Sequence, residues 1–577
     1  MKTKKTGFAL ITIMLCLTAA LSACSGNQNN EKRNETSNVE TNNGTKGGNA
    51  DGTKTENTQP VVENSEYPTL GKEELKFSFY VNYDWYAPVG YGNDPTTKWL
   101  KDTKKINIEE VSSGGNAQQK FGTMVAGDQY PDVIQLDRGS KEFNSLVENG
   151  KLVAIDDYLN KYPALKELLD PETLNSLRSP DGKIYGIPNW FNSTRNPNQT
   201  LGNGWLVNRK VYKELGQPKL ETFDDLYAFL KQVKEKYPNM VPIDTGNVTD
   251  GNPMLVDYIY AGMGDNRNAL PTSNVTGGGR VNLETSQVES LFDDPAYKET
   301  WKFLNLLFRE KLLSQDTFTQ KAEQFKEKIN SGRIAIMAIN DAAGNGKEAN
   351  NILGDNGYDF LPLIHKTGVD ASKVKNAGVG TLGWNLDVIT TSAKSPERIF
   401  EFLDWWASKE GQRIMNFGPP GLLYDQVDTN GAPIDNEKAK TITDKEKQDL
   451  KLFNFRPLGS WYNTIIVNAK TAQDPSKETW DSKASKFYGQ FVAKEINTDQ
   501  FNSFQGMDPN SEAGVASQQI KQIALKEHTK LFYAKDDAAF EAEFSKYMDE
   551  VNKAGYDKVL AYQNKTWAEN KKQLGIQ

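Results

Sequence analysis

Apolar positions along this chain follow two periods that alternate from segment to segment. Phe77-Ser78-Phe79-Tyr80-Val81 reads as a strand, and 133–136 and the unbroken apolar run 334–339 read as strands covered on both faces. Elsewhere the spacing is helical. Leu226, Phe229, Leu230 and Val233 follow Thr222, which forms an approximate capping box with Asp225 three residues on. Ile399, Phe402, Leu403 and Trp406 repeat the pattern after Ser395-Pro396, a proline placed where a helix tolerates it. Tyr297, Trp301, Leu304 and Phe308 make a third stripe behind Asp294-Pro295. Strands separated by helices predict an α/β fold with mostly parallel sheets. No internal repeat is visible.

The N-terminus obeys neither period. Lys2, Lys4 and Lys5 precede an apolar run over 8–20 that is too short, and too soon followed by polar residues, to be a stable membrane span. The run ends at Leu21-Ser22-Ala23-Cys24, which resembles the bacterial lipobox, where cleavage before the cysteine accompanies acylation of its thiol. The alternative is an ordinary signal peptide with an incidental cysteine. Cys16 lies in the segment to be removed, so the mature chain keeps one cysteine and cannot form an internal disulfide. Each buried methylene contributes about 0.8 kcal/mol, so a multiply acylated Cys24 would hold the protein firmly at a membrane surface. Residues 25–66 are rich in Asn, Thr, Gly, Glu and Lys and nearly free of apolar side chains. Such a segment is expected to stay disordered, as a tether with an end-to-end distance of roughly 35 Å.

Composition narrows the classes further. The net charge of -8 argues against nucleic acid, which favours a basic face. Nothing after the signal segment is apolar for long enough to span a membrane. The only histidines are His365 and His528, both expected at the surface, so a histidine-rich metal site or a Ser-His-Asp triad is poorly supplied. Aromatics are plentiful, with 11 Trp, 23 Tyr and 26 Phe, and several stand in polar settings where packing does not require them.

Six motifs then follow one another in a telling order. They are Met124-Val125-Ala126-Gly127-Asp128 with Pro131-Asp132-Val133-Ile134; Asp181-Gly182-Lys183-Ile184-Tyr185-Gly186-Ile187-Pro188; Trp205-Leu206-Val207-Asn208-Arg209-Lys210 with Leu215-Gly216; the segment 325–339; Ser395-Pro396-Glu397 through Gly411; and Asn416-Phe417-Gly418-Pro419-Pro420-Gly421 with Tyr424. From about residue 72 onward the chain resembles the extracellular solute-binding proteins of carbohydrate ABC transporters, in particular their large Gram-positive lipoprotein branch. Each motif alone is weak, and the order is what makes the resemblance specific. It implies a two-lobed periplasmic-binding-protein-like α/β fold with an interlobe cleft and several hinge crossovers. The implied layout is a signal peptide at 1–23, acylated cysteine and tether at 24–66, first lobe at 67–189, second lobe at 190–380, a return to the first lobe at 381–425, and a C-terminal region at 426–577 packing across both lobes. The segment 184–187 reads as a short strand halted by Pro188, with one crossover near 187–190 and a return near 380–384.

The resemblance implies a monomer that captures a saccharide, in particular an oligosaccharide, and delivers it to permease subunits. The membrane is touched only through the lipid anchor. A sugar needs aromatic planes for its C–H face and planar polar groups for its hydroxyls. Aromatics in loops after strands are therefore the candidates: Trp85, Trp190, Trp384, Trp205 and Trp461. Asp137 and Arg138 follow one strand, and Asn340 and Asp341 follow another, where hydroxyl contacts are expected. Trp205 also fits a core position, and Trp405 and Trp406 are assigned to packing. Some members of the family carry an EF-hand-like calcium loop; here Tyr237-Pro238-Asn239-Met240-Val241-Pro242 lacks the alternating oxygens, so neither a metal nor a cofactor is expected. Two alternatives stay open at this level: a secreted glycoside hydrolase, which needs only two carboxylates about 5–10 Å apart, and a binding protein for a peptide or a sensor ligand.

Overall fold

The apolar strands sort into two separate sheets. In chain order the strands that frame the site are β1 (Leu75–Val81), β2 (Ile106–Val111), β3 (Val133–Asp137), β4 (Gly186–Pro188), β5 (Gly204–Asn208), β6 (Val241–Asp244), β7 (Ile334–Ile339), β8 (Tyr358–Leu361), β9 (Ala377–Val379), β10 (Asn385–Ile389) and β11 (Val492–Asn497). The computed structural model describes residues 66–193, 204–246, 254–267, 270, 279–339, 342–452, 455, 464–475, 478, 480–504 and 507–576. The first sheet has the order β2-β1-β3-β10-β4, and the second β8-β5-β7-β6. β1 is parallel to β2 and β3, and β6 to β7. β10, however, is antiparallel to β3 and β4, and β5 is antiparallel to β7 and β8. Both sheets are therefore mixed rather than mostly parallel. The periodicity reads strand–helix alternation correctly, but β10 enters its sheet from the other lobe, so the crossover and not a βαβ unit sets its direction.

All six residues of β7 are buried, as a strand covered on both faces requires. β4 begins two residues later than the apolar run suggests and includes Pro188, which faces Leu386. It is an edge strand, where the missing proline N–H is tolerated. The helices follow their caps. Thr222 and Asp225 form the capping box of Phe223–Lys236, and Leu226, Phe229, Leu230 and Val233 are buried. Asp294 caps Pro295–Arg309, burying Tyr297, Trp301, Leu304 and Phe308. Trp405 and Trp406 are both enclosed in the core of the first lobe.

That first core joins β1, β3 and β10 to the helix Pro396–Ala407. The second joins β5 and β7 to Phe223–Lys236 and Pro295–Arg309, and also takes in the C-terminal helices Glu512–Tyr533, Asp537–Lys553 and Tyr556–Leu574. The last three helices thus pack on the second lobe, while Thr464–Gln473 packs on Lys409–Phe417 of the first. His528 corrects a surface expectation. It is buried in this second core, stacked on Trp301 with ring centroids 3.9 Å apart, and its Nε2 lies 3.1 Å from the Tyr547 hydroxyl. Burial pushes its imidazole down to about 3, so the ring is neutral. Its helix supplies an apolar face that contact with Trp301 completes, which local sequence does not reveal.

The lobes are joined by paired crossovers. Phe191 bridges Leu382, Gly383 N donates to Trp190 O at 2.8 Å, and Asn192 N to Thr381 O at 2.8 Å. Beyond this ladder β9 pairs in parallel with β11. The Asp499 carboxylate accepts Thr381 N at 3.0 Å, tying the C-terminal region to the return crossover. Among the described residues no helix is long and apolar enough to cross a membrane.

Candidate functional site

The site is built where β1, β3 and β10 end or begin beside the crossovers. After Val81 the chain leaves the sheet, and three polar anchors fix the loop that follows. Asn82 N donates to Gln135 O at 2.9 Å, Ser113 Oγ donates to Tyr83 O at 3.0 Å, and the Asp84 carboxylate accepts Ala117 N at 2.6 Å. Glu110, on β2, then gathers the far side of the loop. Its carboxylate accepts the Tyr86 hydroxyl at 3.0 Å and the backbone N–H groups of Val89, Gly90 and Tyr91 at 3.1, 2.8 and 2.9 Å. A loop held this way can afford an apolar tip in water, and Trp85 is 66% exposed.

Trp85 does not stand alone. It stacks on Tyr83, with centroids 5.1 Å apart and planes 12° apart, and Trp384 lies 5.0 Å from Tyr83 and 6.4 Å from Trp85 at 55–56° to both. Trp384, just before β10, is 53% exposed. The three rings form a corner with two open aromatic faces. Trp190 adjoins it from the first crossover, since its backbone carbonyl accepts Gly383 N.

Polar groups close the back of the corner. The Tyr83 hydroxyl donates to Asp137 at 2.7 Å. Burial, followed by the charge of Asp137, raises the Tyr83 phenol far above its ordinary value, so it remains a donor. Partial desolvation likewise raises the Asp137 carboxyl, although Tyr83 opposes the shift. Arg138 turns inward. Its backbone N–H donates to Trp384 O at 2.8 Å and its Nε–H to Gly383 O at 3.2 Å, so it holds the return crossover in place. Behind these groups Gln135 Nε2 donates to Asp387 at 3.0 Å across the β3–β10 pair. Burial pushes the Asp387 carboxyl well up.

Of the residues expected at the site, the fold brings together Trp85, Asp137, Arg138 and Trp384, with Trp190 adjoining. Trp205 is a correction. It is 0% exposed, its ring packs 6.1 Å from Tyr258, and its carbonyl accepts the Tyr488 hydroxyl at 2.7 Å. It lies within a strand buried at every position, not in a loop, and belongs to the second core. Asn340, Asp341, Trp461 and Cys24 lie outside the described residues.

Sequence reasoning missed three groups. Tyr83 shares the Asn82-Tyr83-Asp84-Trp85-Tyr86 loop and could have been found there. Asp257 is on the helix Met254–Ala261 of the second lobe; burial raises its carboxyl to about 7, and among the described residues its Oδ1 has no hydrogen-bond partner. Lys328 gave no local signal. Its ammonium donates to Asp244 at 3.1 Å, Ser314 Oγ at 3.2 Å, Asp316 at 2.7 and 2.9 Å, and Gln320 Oε1 at 2.8 Å. This knot fixes the turn leaving β6, since Asp244 also accepts Thr245 N and Gly246 N. Among the described residues no group of three or more His, Cys, Asp or Glu is placed to hold a metal ion.

The corner can grip a flat apolar ring face and accept hydrogen bonds at its edge. Comparison with known proteins agrees with a binding role. Lipoprotein LipO of Bacillus subtilis (strain 168) is 24% identical over 369 residues, covering 59% of this chain and 67% of its own length. A carbohydrate ABC transporter substrate-binding protein of Streptococcus pneumoniae serotype 4 (strain ATCC BAA-334 / TIGR4) is 23% identical over 442 residues, 71% of this chain and 80% of that protein. The solved structure of the S. pneumoniae ABC-transporter substrate-binding protein FusA in complex with kestose superposes with a TM-score of 0.62 at 16% identity, covering 86% of this chain and 100% of that one. That likeness establishes the two-lobed fold. The model of the bacterial extracellular solute-binding proteins matches residues 84–413. The chain belongs to the bacterial extracellular solute-binding protein family.

Proposed function

We propose that this chain captures an oligosaccharide outside the cell and delivers it to the permease of an ABC transporter, held at the membrane face by an acylated Cys24. The observation that carries the reading is the corner of Tyr83, Trp85 and Trp384, two of its rings largely open to water beside the crossovers of a solute-binding fold. Exposing two tryptophans is costly unless a ligand covers them, and a sugar ring offers the matching C–H face. Asp137 then accepts from ligand hydroxyls. Trp190 borders the corner, Arg138 positions Trp384, and Asn340, Asp341 and Trp461 are assigned to the ligand as well. The carbohydrate-binding relatives support a saccharide, and the LipO relative supports the lipid anchor.

Capture follows from lobe closure. A ligand bound to the first lobe alone gains only part of its contacts, and closure adds those of the second. That difference in contact shifts the population toward the closed form, which the permease reads. Intrinsic tryptophan fluorescence with thermal shift, titrated across neutral oligosaccharides, tests the reading. The expected result is a saturable emission change with a raised melting temperature, because a ligand that binds only the folded state stabilises it. Chromatography should recover the sugar unchanged. If peptides bind and no saccharide does, the receptor stands and the sugar assignment falls.

A further inference from the structure

The corner carries a charge pattern that bears on which saccharides it accepts. Among the described residues, two exposed acids belong to it: Asp84 next to Trp85, and Asp137 beneath Tyr83. Glu142 adds to the negative potential at Asp137. Among the described residues, the two cations that follow Asp137 in the chain each face a partner. Arg138 directs its Nε–H into the Gly383 carbonyl at 3.2 Å and lies in the field of Asp499, while Lys141 lies 3.8 Å from Glu142. The aromatic planes add to this pattern, because a ring face is itself the negative end of a quadrupole. An anionic substituent brought to the corner would therefore meet the Asp137 carboxylate and two ring faces.

On the saccharide reading above, we infer that this corner selects uncharged sugar rings and excludes rings bearing carboxylate, sulfate or phosphate. A neutral ring stacks on Trp85 or Trp384 and donates its hydroxyls to Asp137. A uronate placed there sets carboxylate against carboxylate, and such like-charge contacts across an interface suppress the wrong partner.

Calorimetric titration of the full-length protein tests this, using neutral hexose oligosaccharides and oligouronates of matched length. The expected result is saturable neutral binding, with oligouronates roughly tenfold weaker or worse. That gap should narrow between about 0.02 M and about 0.5 M sodium chloride, because salt screens exposed charges. In Asp137→Asn the ratio of neutral to acidic affinity should fall several-fold, because the amide still accepts from Tyr83 but no longer repels. An unchanged ratio removes Asp137 as the excluding group. Oligouronates binding as well as neutral sugars overturn the inference and leave the receptor reading intact. Saturable binding by neither class overturns the saccharide reading and this inference with it.

Discussion

β3 and β6 both end in aspartate, one in each lobe, and the two carboxylates have opposite fates. Asp137, closing β3, stays exposed and accepts one phenol, leaving capacity for more. Asp244, closing β6, is 0% exposed and is saturated by Lys328, Gln320 and two backbone N–H groups. The same residue at the same kind of strand end is thus a recognition group in one lobe and a structural knot in the other. What separates them is a lysine 84 positions downstream of Asp244. The largest effect that tests this contrast is Lys328→Met. It strands a buried carboxylate, so urea unfolding should show a loss of about 3–5 kcal/mol. Asp137→Asn should cost under about 1 kcal/mol, as surface changes do. Equal costs would end the distinction.

The two strand ends also mark how far the sequence could be read. Caps and apolar stripes located the helices because Thr222 with Asp225, and Asp294 with Pro295, act within a few residues of one another. The loop bearing Trp85 was legible because an aromatic directly after a strand has few core positions to fill. Lys328 was not, since its oxygens come from Asp244, Ser314, Asp316 and Gln320, and only folding gathers them. Trp205 and His528 were placed less well for a similar reason. Their burial depends on Tyr258, Tyr488 and Trp301, which lie on other elements. The mixed character of the first sheet escaped because the direction of β10 is set by a crossover from the far lobe.

Tryptophans sharpen the comparison at intermediate size. Trp205→Ala empties a core position and should cost about 3–5 kcal/mol of stability. Trp85→Ala or Trp384→Ala removes an exposed ring, so the melting temperature should hardly move. Ligand affinity should instead fall by about 2 kcal/mol or more, as for a central aromatic anchor. Stability and affinity measured on all three variants should therefore separate cleanly. A drop in melting temperature for Trp85→Ala as large as that for Trp205→Ala would make the corner a packing feature.

The smallest effect lies in the pH response of the exposed aspartate. Desolvation raises the Asp137 carboxyl above its ordinary 3.8, so in that window the folded state binds its proton more tightly than the unfolded chain does. Stability rises with pH only where the unfolded state binds more protons, and here it binds fewer. Asp137 therefore contributes most at pH below about 4, and its contribution declines as pH climbs through the raised value. Asp137→Asn abolishes the titration. The stability difference between wild type and variant should therefore drift against wild type as pH rises from 3.5 toward 6 (about the carboxylate range). Solvent screening at this exposed site keeps the drift within about 0.5 kcal/mol. Referring wild type to the variant cancels Asp257 and His528, which titrate in the same range and pull in opposite directions. A drift of the opposite sign would mean that the hydrogen bond from Tyr83 outweighs desolvation, and that Asp137 resembles the satisfied Asp244 more than its exposure suggests.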